Sequence, residues 1–146
     1  MITRVDVINE ALTWLGTPWL HQARLKGIGA DCIGFIGGVA VALGISGAAE
    51  WARTPDFHNY GPQPQAKLML LGCARFLDPI AIADVQPADV LMLRFEREPM
   101  HFALVSSLAP LYVIHALSTA GKVVQHRVDA TWANRIVRAW RFRGLT

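Results

Sequence analysis

The sequence predicts an α+β fold, in which helices formed by the first half of the chain pack on an antiparallel sheet formed by the second half. The first half carries apolar residues at helical spacing, and the second half carries short apolar runs separated by turn residues. No helical stretch separates those runs, as a parallel sheet would require. With 146 residues, 53% of them hydrophobic, the chain is expected to form one domain spanning 1–146.

Three helices are predicted before residue 80. The first begins at Thr3, which forms a cap arrangement with Asp6, and ends before Gly16. The second begins at Cys32, with Asp31 as its N-cap. The predicted helices are Thr3 to Leu15, Cys32 to Leu43 and Gln65 to Leu77, and the predicted loops between them are Gly16 to Asp31 and Ser46 to Pro64.

Five strands are predicted after Pro87, because short runs rich in β-branched and aromatic residues alternate there with turn residues. The last run is also the most basic part of the chain, and its charged residues alternate with apolar ones as in a half-buried strand. The predicted strands are Val90 to Phe95, His101 to Ser106, Leu111 to Leu117, Val123 to Val128 and Ile136 to Phe142.

Composition limits the classes of partner. The net charge is +3, but the excess lies mainly in Arg135 to Arg143, so we expect no nucleic-acid partner. The uncharged stretch Cys32 to Ala49 is interrupted by glycines and lacks membrane anchors, which favours a buried helix over a membrane span. The N-terminus has no signal-peptide pattern, so we expect synthesis in the cytoplasm. Only 17% of residues are charged, which indicates a surface that faces partners in an assembly.

The two cysteines have different surroundings. Cys73 lies in an apolar helical stretch and is interpreted as a small, inert core residue. Cys32 would be interpreted in the same way but for its place at a helix start, where backbone N–H groups lower a thiol's pKa and can bind an oxyanion. Neither cysteine has zinc-ligand spacing, and no histidine–carboxylate cluster does, so neither a metal nor another cofactor is predicted.

A thiol nucleophile needs a base, and His101 and His115 lie on consecutive predicted strands. A three-residue turn Ser107 to Ala109 would place the two histidines directly opposite each other on one face, so that His115 orients His101. A turn of two or four residues would place them on opposite faces. The remaining histidines, His58 and His126, are interpreted as solvent or loop positions.

Five segments of the sequence match the motifs of one known family. Gly16 to Trp19 matches a G-T-P-aromatic loop, and Lys26 to Phe35 matches a segment that leads to D-C-S-G-F. Gln86 to Leu91 resembles a P-G-D strand entry, His101 to Val105 resembles H-V-G-I-Y, and Ile114 to Ala116 resembles I-H-A. Their order and spacing agree across nearly the whole chain, and together they resemble the NlpC-type family of cell-wall peptidases.

The resemblance implies a papain-like fold and a cysteine peptidase that needs no cofactor. It implies Cys32 as nucleophile, His101 as base and His115 as the residue that orients the base. Trp19 stands where many relatives have a tyrosine that lines the oxyanion or substrate site, and Asp31 and His21 are the other candidate residues on that side. Asp31 is interpreted as shaping the turn, and for His21 a hydrogen bond within the loop is the alternative to substrate binding. The implied substrate is the peptidoglycan stem peptide, at the bond from γ-D-glutamate to a diamino acid.

The loop His21 to Gly29 and the ending Val124 to Phe142 are similar to the subgroup found in tail proteins of phages and gene transfer agents. This implies phage-tail partners and an action in the periplasm or cell wall during penetration. Two alternatives remain open: a structural tail-tip subunit with little or no activity, and another amidase or acyl transferase on the same scaffold.

The sequence departs from the family pattern beside the motif residues. Ile33 replaces a serine, which should matter little if its side chain packs inward. Ala88 and Ala103 replace glycines, which is tolerable where the backbone does not need a positive φ.

Overall fold

The computed structural model describes residues 1–54, 66–95 and 99–146, and for residues 66–69 and 99–100 it describes the backbone only. Helices of the first half pack on a sheet of the second half, as predicted, and the sheet is antiparallel. The helices are α1 (Arg4–Leu12), α2 (Cys32–Ala42), α3 (Ala48–Arg53), α4 (Ala66–Cys73) and α5 (Ala130–Ala133), with a short 3-10 helix at Ile82–Asp84. The strands are β1 (Arg24–Leu25), β2 (Gly29–Ala30), β3 (Leu77–Ile80), β4 (Val90–Arg94), β5 (Pro99–Leu108), β6 (Leu111–Leu117), β7 (Lys122–Arg127) and β8 (Ile136–Phe142).

Helix α1 begins with the predicted cap. The Thr3 hydroxyl accepts from the Asp6 amide at 3.1 Å, and the Asp6 carboxylate accepts from the Thr3 amide at 2.8 Å. The two bonds satisfy amides that the first helical turn cannot pair. The helix ends at Leu12, earlier than predicted, and turns follow it up to Gly16, whose φ of +85° suits glycine.

Helix α2 is the central helix and is apolar on nearly every side. Asp31 caps it, as predicted, by accepting from the Gly34 amide at 2.8 Å. Two glycines allow close packing: a Cβ at Gly37 would lie 2.0 Å from the Trp51 ring, and a Cβ at Gly38 would lie 2.3 Å from the Trp14 ring. The helix is therefore held against two tryptophans, and a side chain at either glycine would displace it.

The six main strands follow the order β3-β8-β4-β5-β6-β7, and each is antiparallel to its neighbours. Apolar residues cover both faces. One face carries Val90, Phe102 and Ile114 and packs with the helices in the main core. The other face carries Ala103, Val105 and other members of a smaller cluster, against which Trp132 packs.

Six short elements of the described residues were not predicted, among them α5 and the 3-10 helix. Helix α3 lies inside the predicted loop Ser46 to Pro64, and residues 55–64 of that loop lie outside the described residues. The β1–β2 hairpin lies inside the predicted loop Gly16 to Asp31. Strand β3 begins at Leu77, where a helix was predicted to end, because pairing with β8 outweighs the local pattern.

The entry to β4 depends on a buried carboxylate. Asp89 accepts from the amide of Gln86 at 2.8 Å and forms ion pairs with Arg4 and Arg141 at 3.1 and 2.8 Å. The preceding Ala88 is buried with a φ of +79°, so this departure from glycine falls where the backbone needs a positive φ. Ile33 packs inward with 6% of its surface exposed, as expected.

Among the helices that the structure describes, none has the length and apolar composition needed to cross a bilayer.

Candidate active site

Cys32 is the first residue of α2 and is 6% exposed. The backbone amides of Phe102, Ile33 and Cys32 all lie where they lower the pKa of its thiol. The first of these amides belongs to β5 and follows His101 directly in the chain. The sulfur therefore lies near the start of α2 and near the backbone of β5 at Phe102, the residue that follows His101 in the chain.

The segment before Cys32 is fixed along the free side of β7. Gly16 donates to the Val123 carbonyl at 3.0 Å, and Trp19 donates to the Gly121 carbonyl at 2.9 Å. At the other end of the segment, the Asp31 carboxylate accepts from the Gln22 amide at 2.9 Å as well as capping α2. The loop and the helix start are thus held together, which supports the interpretation of Asp31 as the residue that shapes the turn.

The structure brings the two predicted histidines into contact. His101 Nε2 lies 2.6 Å from His115 Nδ1, and the two residues are 6% and 0% exposed. Their rings meet edge to face with centroids 4.8 Å apart. Because Nε2 of His101 is engaged by His115, its Nδ1 is the nitrogen left for a further partner.

The predicted register of the β5–β6 hairpin is wrong. The turn has two residues, between Leu108 and Leu111, and the register carried on from Leu104↔Ile114 puts Ala103 opposite His115. A two-residue turn alone would place His101 and His115 on opposite faces. A bulge at Ser106, where the register shifts between Val105 and Ser107, adds one residue to β5 and so returns the two histidines to the same face of the sheet. On that face they are diagonal neighbours.

A third histidine belongs to the same group. His126 lies on β7, with its Nε2 2.8 Å from Nε2 of His115 and its Nδ1 2.8 Å from the carbonyl oxygen of Arg127. The prediction that His126 is a solvent or loop residue is therefore wrong. The sequence contained a signal for this position. Successive side chains of a strand point to opposite faces, so a histidine within a predicted strand lies on a defined face of the sheet and can meet side chains of the next strand there.

Aromatic rings line the histidine group. The Phe95 ring lies 5.1 Å from His101, and the Trp132 ring lies 5.4 Å from His115 and 4.9 Å from His126. The guanidinium of Arg135 stacks over both of these aromatic rings, at 5.1 and 4.9 Å from their centroids. A fixed positive charge is thus held one ring away from the histidines.

Burial keeps the Cys32 thiol protonated in the resting site. Burial first, and then the negative charge of Asp31, raise its pKa to about 12, and the three backbone amides offset only part of this rise. The predicted lowering of the pKa by the helix start is therefore outweighed. A thiolate at Cys32 needs a positive charge that forms beside it, since paired charges offset the desolvation of each other.

The two buried histidines rest in the neutral form. Burial, followed by His126, lowers the pKa of His101 to about 3. Burial, followed by His101 and His126, lowers the pKa of His115 to about 2. A neutral imidazole has one acceptor nitrogen, so His101 is able to take a proton from the thiol.

The other predicted site residues lie in the loop before α2. Trp19 is half-buried against the main core and pairs through its backbone with Ala30, and His21 is half-buried in the following turn. Within the described part of the chain, no three His, Cys, Asp or Glu side chains are arranged to hold a metal ion. The histidine nitrogens lie within hydrogen-bond distance of one another, so they pair instead of converging on an ion. Cys73 is 3% exposed, and burial raises the pKa of its thiol.

No protein-family model matches the sequence, and no curated protein matches it. The structure does resemble solved structures. One is an NlpC/P60-family protein of Staphylococcus aureus described as similar to a lipoprotein, with a TM-score of 0.63, 19% identity and coverage of 94% of this chain. The alignment spans only 41% of that chain.

Two further structures match over nearly their whole length. The NlpC/p60 domain of the peptidoglycan hydrolase SagA has a TM-score of 0.57 and 18% identity, with 93% of this chain and 96% of that chain covered. An N-acetylmuramoyl-L-alanine amidase from Bacteroides uniformis has a TM-score of 0.67 and 12% identity, with 96% and 98% covered. The chain therefore has the papain-like fold of the NlpC/P60 domains, with a cysteine at the start of a helix and histidines on the antiparallel sheet.

Proposed function

We propose that the chain is a cysteine hydrolase that cleaves amide bonds in the stem peptides of peptidoglycan. The observation that carries the proposal is the 2.6 Å contact between His101 Nε2 and His115 Nδ1, together with a cysteine whose sulfur faces the amide of Phe102, the residue after His101. Nucleophile, base and orienting group are the parts that acyl transfer requires. Two of the solved structures with this fold are peptidoglycan hydrolases.

The chemistry follows from the geometry. The Cys32 thiol passes its proton to Nδ1 of His101 as its sulfur attacks the carbonyl carbon of the substrate. The amides at the start of α2 stabilise the oxyanion of the tetrahedral intermediate. His101 then gives the proton to the departing amine, and a water molecule hydrolyses the thioester that remains on Cys32.

The proposed bond joins γ-D-glutamate to a diamino acid. The sequence motifs support this choice, and so does the charge of Arg135, which is held over Phe95 and Trp132 next to the histidines. A γ-linked glutamate keeps a free carboxylate, and a guanidinium is the cation best shaped to pair with one. The pairing would hold that carboxylate on the side of the sheet that carries the histidines.

The proposed setting is the tail of a phage, prophage or gene transfer agent, from which the chain would act in the periplasm or cell wall during penetration. The support for this setting is the similarity of the loop His21 to Gly29 and of the C-terminal strands to that subgroup. Tail-tip proteins would then be its partners.

Digestion of purified muropeptides tests the activity. The wild-type chain is expected to release the L-alanyl-γ-D-glutamate dipeptide from a free tripeptide, detected by mass spectrometry. Cys32→Ala should release none, and Cys73→Ala is the matched control, because Cys73 is also buried and is expected to act only in packing. Undiminished release by Cys32→Ala would contradict the proposal.

A different amidase is the second candidate, because one structure with the same fold is described as an N-acetylmuramoyl-L-alanine amidase. That activity would free the whole stem peptide from N-acetylmuramic acid. A parallel digest of a muropeptide that keeps its sugar separates the two activities, since the amidase frees the intact stem peptide and the endopeptidase frees only the part that begins at the diamino acid.

A structural tail subunit is the third candidate. The observation that favours it is the exposure of apolar side chains in the loop before α2: Leu20, Leu25 and Ile28 are 54%, 63% and 69% exposed. The double variant Leu25→Ser/Ile28→Ser should then lose its binding to tail proteins in a sedimentation assay. Hydrolysis of muropeptides by the wild-type chain would contradict this candidate, because a purely structural subunit has little or no activity.

A further inference from the structure

His126 extends the histidine pair into a line of three rings. The line runs from His101 through His115 to His126, with nitrogen–nitrogen distances of 2.6 and 2.8 Å, and it ends on the carbonyl oxygen of Arg127 at 2.8 Å. In each contact, two lone pairs would face each other unless one of the two atoms carries a hydrogen. Each contact therefore needs one hydrogen, and the atom that carries this hydrogen decides the tautomer of the ring.

The backbone carbonyl fixes the first proton. A carbonyl oxygen only accepts, so Nδ1 of His126 carries the hydrogen in this contact. A neutral His126 then has a bare Nε2, which accepts from Nε2–H of His115. His115 is left with a bare Nδ1, which accepts from Nε2–H of His101.

The last ring is thereby set for catalysis. With its hydrogen on Nε2, neutral His101 has a bare Nδ1, and this is the nitrogen that the other contacts leave for the Cys32 thiol. The reverse arrangement would put a hydrogen on Nδ1 of His101, which could not accept a proton. That arrangement would also bring the bare Nδ1 of His126 against a carbonyl lone pair.

We propose that His126 is a positioning residue for the hydrolysis: through His115 it holds His101 in the tautomer that can accept the proton of Cys32. This inference rests on the proposed function. The hydrogen bond between His126 and His115 is the contact through which His126 positions the base.

The surroundings of His126 favour a fixed ring. The Trp132 ring packs on it at 4.9 Å, and Trp132 itself lies under the guanidinium of Arg135. His115, on the other side, is fully buried. A ring held between a tryptophan and a buried partner has little freedom to flip its nitrogens.

Nitrogen-15 NMR of the histidine rings in the full chain tests the arrangement without reference to activity. At neutral pH we expect hydrogens on Nε2 of His101, Nε2 of His115 and Nδ1 of His126. A hydrogen on Nε2 of His126, or on Nδ1 of His115, would overturn the inference even if the chain is an active hydrolase.

Kinetics test the consequence. His126→Phe keeps an aromatic ring beside Trp132 but has no acceptor for His115, and it should lower kcat on the muropeptide about tenfold to a hundredfold with KM little changed. His126→Gln offers an oxygen acceptor and should restore most of kcat. The control is Gln125→Ala, an exposed neighbour on β7.

The positioning role would be overturned if His126→Phe had the kcat of the wild type. It would also be overturned if His126→Phe and His126→Gln lost kcat equally. A wild-type chain that cleaves no muropeptide would overturn the proposed function instead, and the NMR experiment would still decide the hydrogen-bonded line.

Discussion

His101 Nε2 lies 2.6 Å from His115 Nδ1 although the two residues are diagonal and not opposite in the hairpin. Side chains of opposite residues start about 4.5–5.5 Å apart and those of diagonal residues about 7–8 Å apart, so two imidazole rings span the diagonal where shorter side chains would not. The contact orients the ring of His101 and engages one of its nitrogens. This geometry yields the first prediction.

Replacement of His115 by alanine should lower kcat for muropeptide hydrolysis by about 10²- to 10⁴-fold, the usual worth of a positioned acid–base group. The cause is the loss of the acceptor that holds His101, whose ring can then turn. His115→Gln, which keeps an acceptor oxygen, should retain more activity than His115→Ala. Steady-state kinetics on one muropeptide check this, and equal rates for the wild type and His115→Ala would contradict it.

Acid should destabilise the fold through the two buried histidines. Their pKa values are about 3 and about 2 in the folded chain, below the usual 6.5, so beneath pH 6.5 the unfolded chain binds protons that the folded chain cannot. Stability is therefore full above about pH 6.5 and declines as the pH falls toward 3. The loss between pH 6.5 and pH 5 should be roughly 3 kcal/mol for the pair.

Urea unfolding at several pH values measures this decline. The double variant His101→Gln/His115→Gln is the control, because glutamine does not titrate and its curve should be flatter over the same range. A decline as steep in the double variant as in the wild type would assign the acid sensitivity to other groups.

Alkylation should distinguish the two cysteines. Burial raises the pKa of both thiols, but three backbone amides counter it at Cys32, whereas among the described residues no amide does so at Cys73. Iodoacetamide, which reacts with thiolates, should thus modify Cys32 faster than Cys73 in the native chain, and faster as the pH rises from about 7 to 9. Peptide mass spectrometry over time gives both rates in one sample.

Asp31→Asn sharpens that test. It removes the negative charge that raises the pKa of Cys32 but keeps an oxygen able to cap α2 through Gly34, so labelling of Cys32 should accelerate and labelling of Cys73 should not. No difference between Asp31→Asn and the wild type would show that the charge has no effect on the thiol.

Two adjacent serines at the hairpin bulge should respond in opposite directions. The hydroxyl of Ser106 is buried with no hydrogen-bond partner among the described residues, whereas that of Ser107 donates to the Pro110 carbonyl at 2.8 Å. Ser106→Ala should therefore stabilise the fold by about 1 kcal/mol, and Ser107→Ala should destabilise it by about 1 kcal/mol. Thermal unfolding of both variants compares them directly, and a loss of stability in Ser106→Ala would refute the assignment.

The sequence by itself determined the parts of the molecule that depend on neighbouring residues. Asp31 caps α2 and Cys32 follows it, because an N-cap and the first helical residue are set by local hydrogen bonds. Strands β6 and β8 have the predicted bounds, since a run of seven mostly apolar or alternating residues between turn residues is a strong local signal. The identity of the candidate nucleophile and of two histidines followed from these local features and from the family motifs.

Only the tertiary structure decided how the histidines meet. The bulge at Ser106 sets the register of β5 on β6, and no local sequence pattern indicates which residue of β5 will be left without a partner in the ladder. The place of His126 depends on the pairing of β6 with β7, in which it lies diagonally from His115. The protonation of Cys32 likewise depends on burial by distant segments, which outweighs the local field of the helix start.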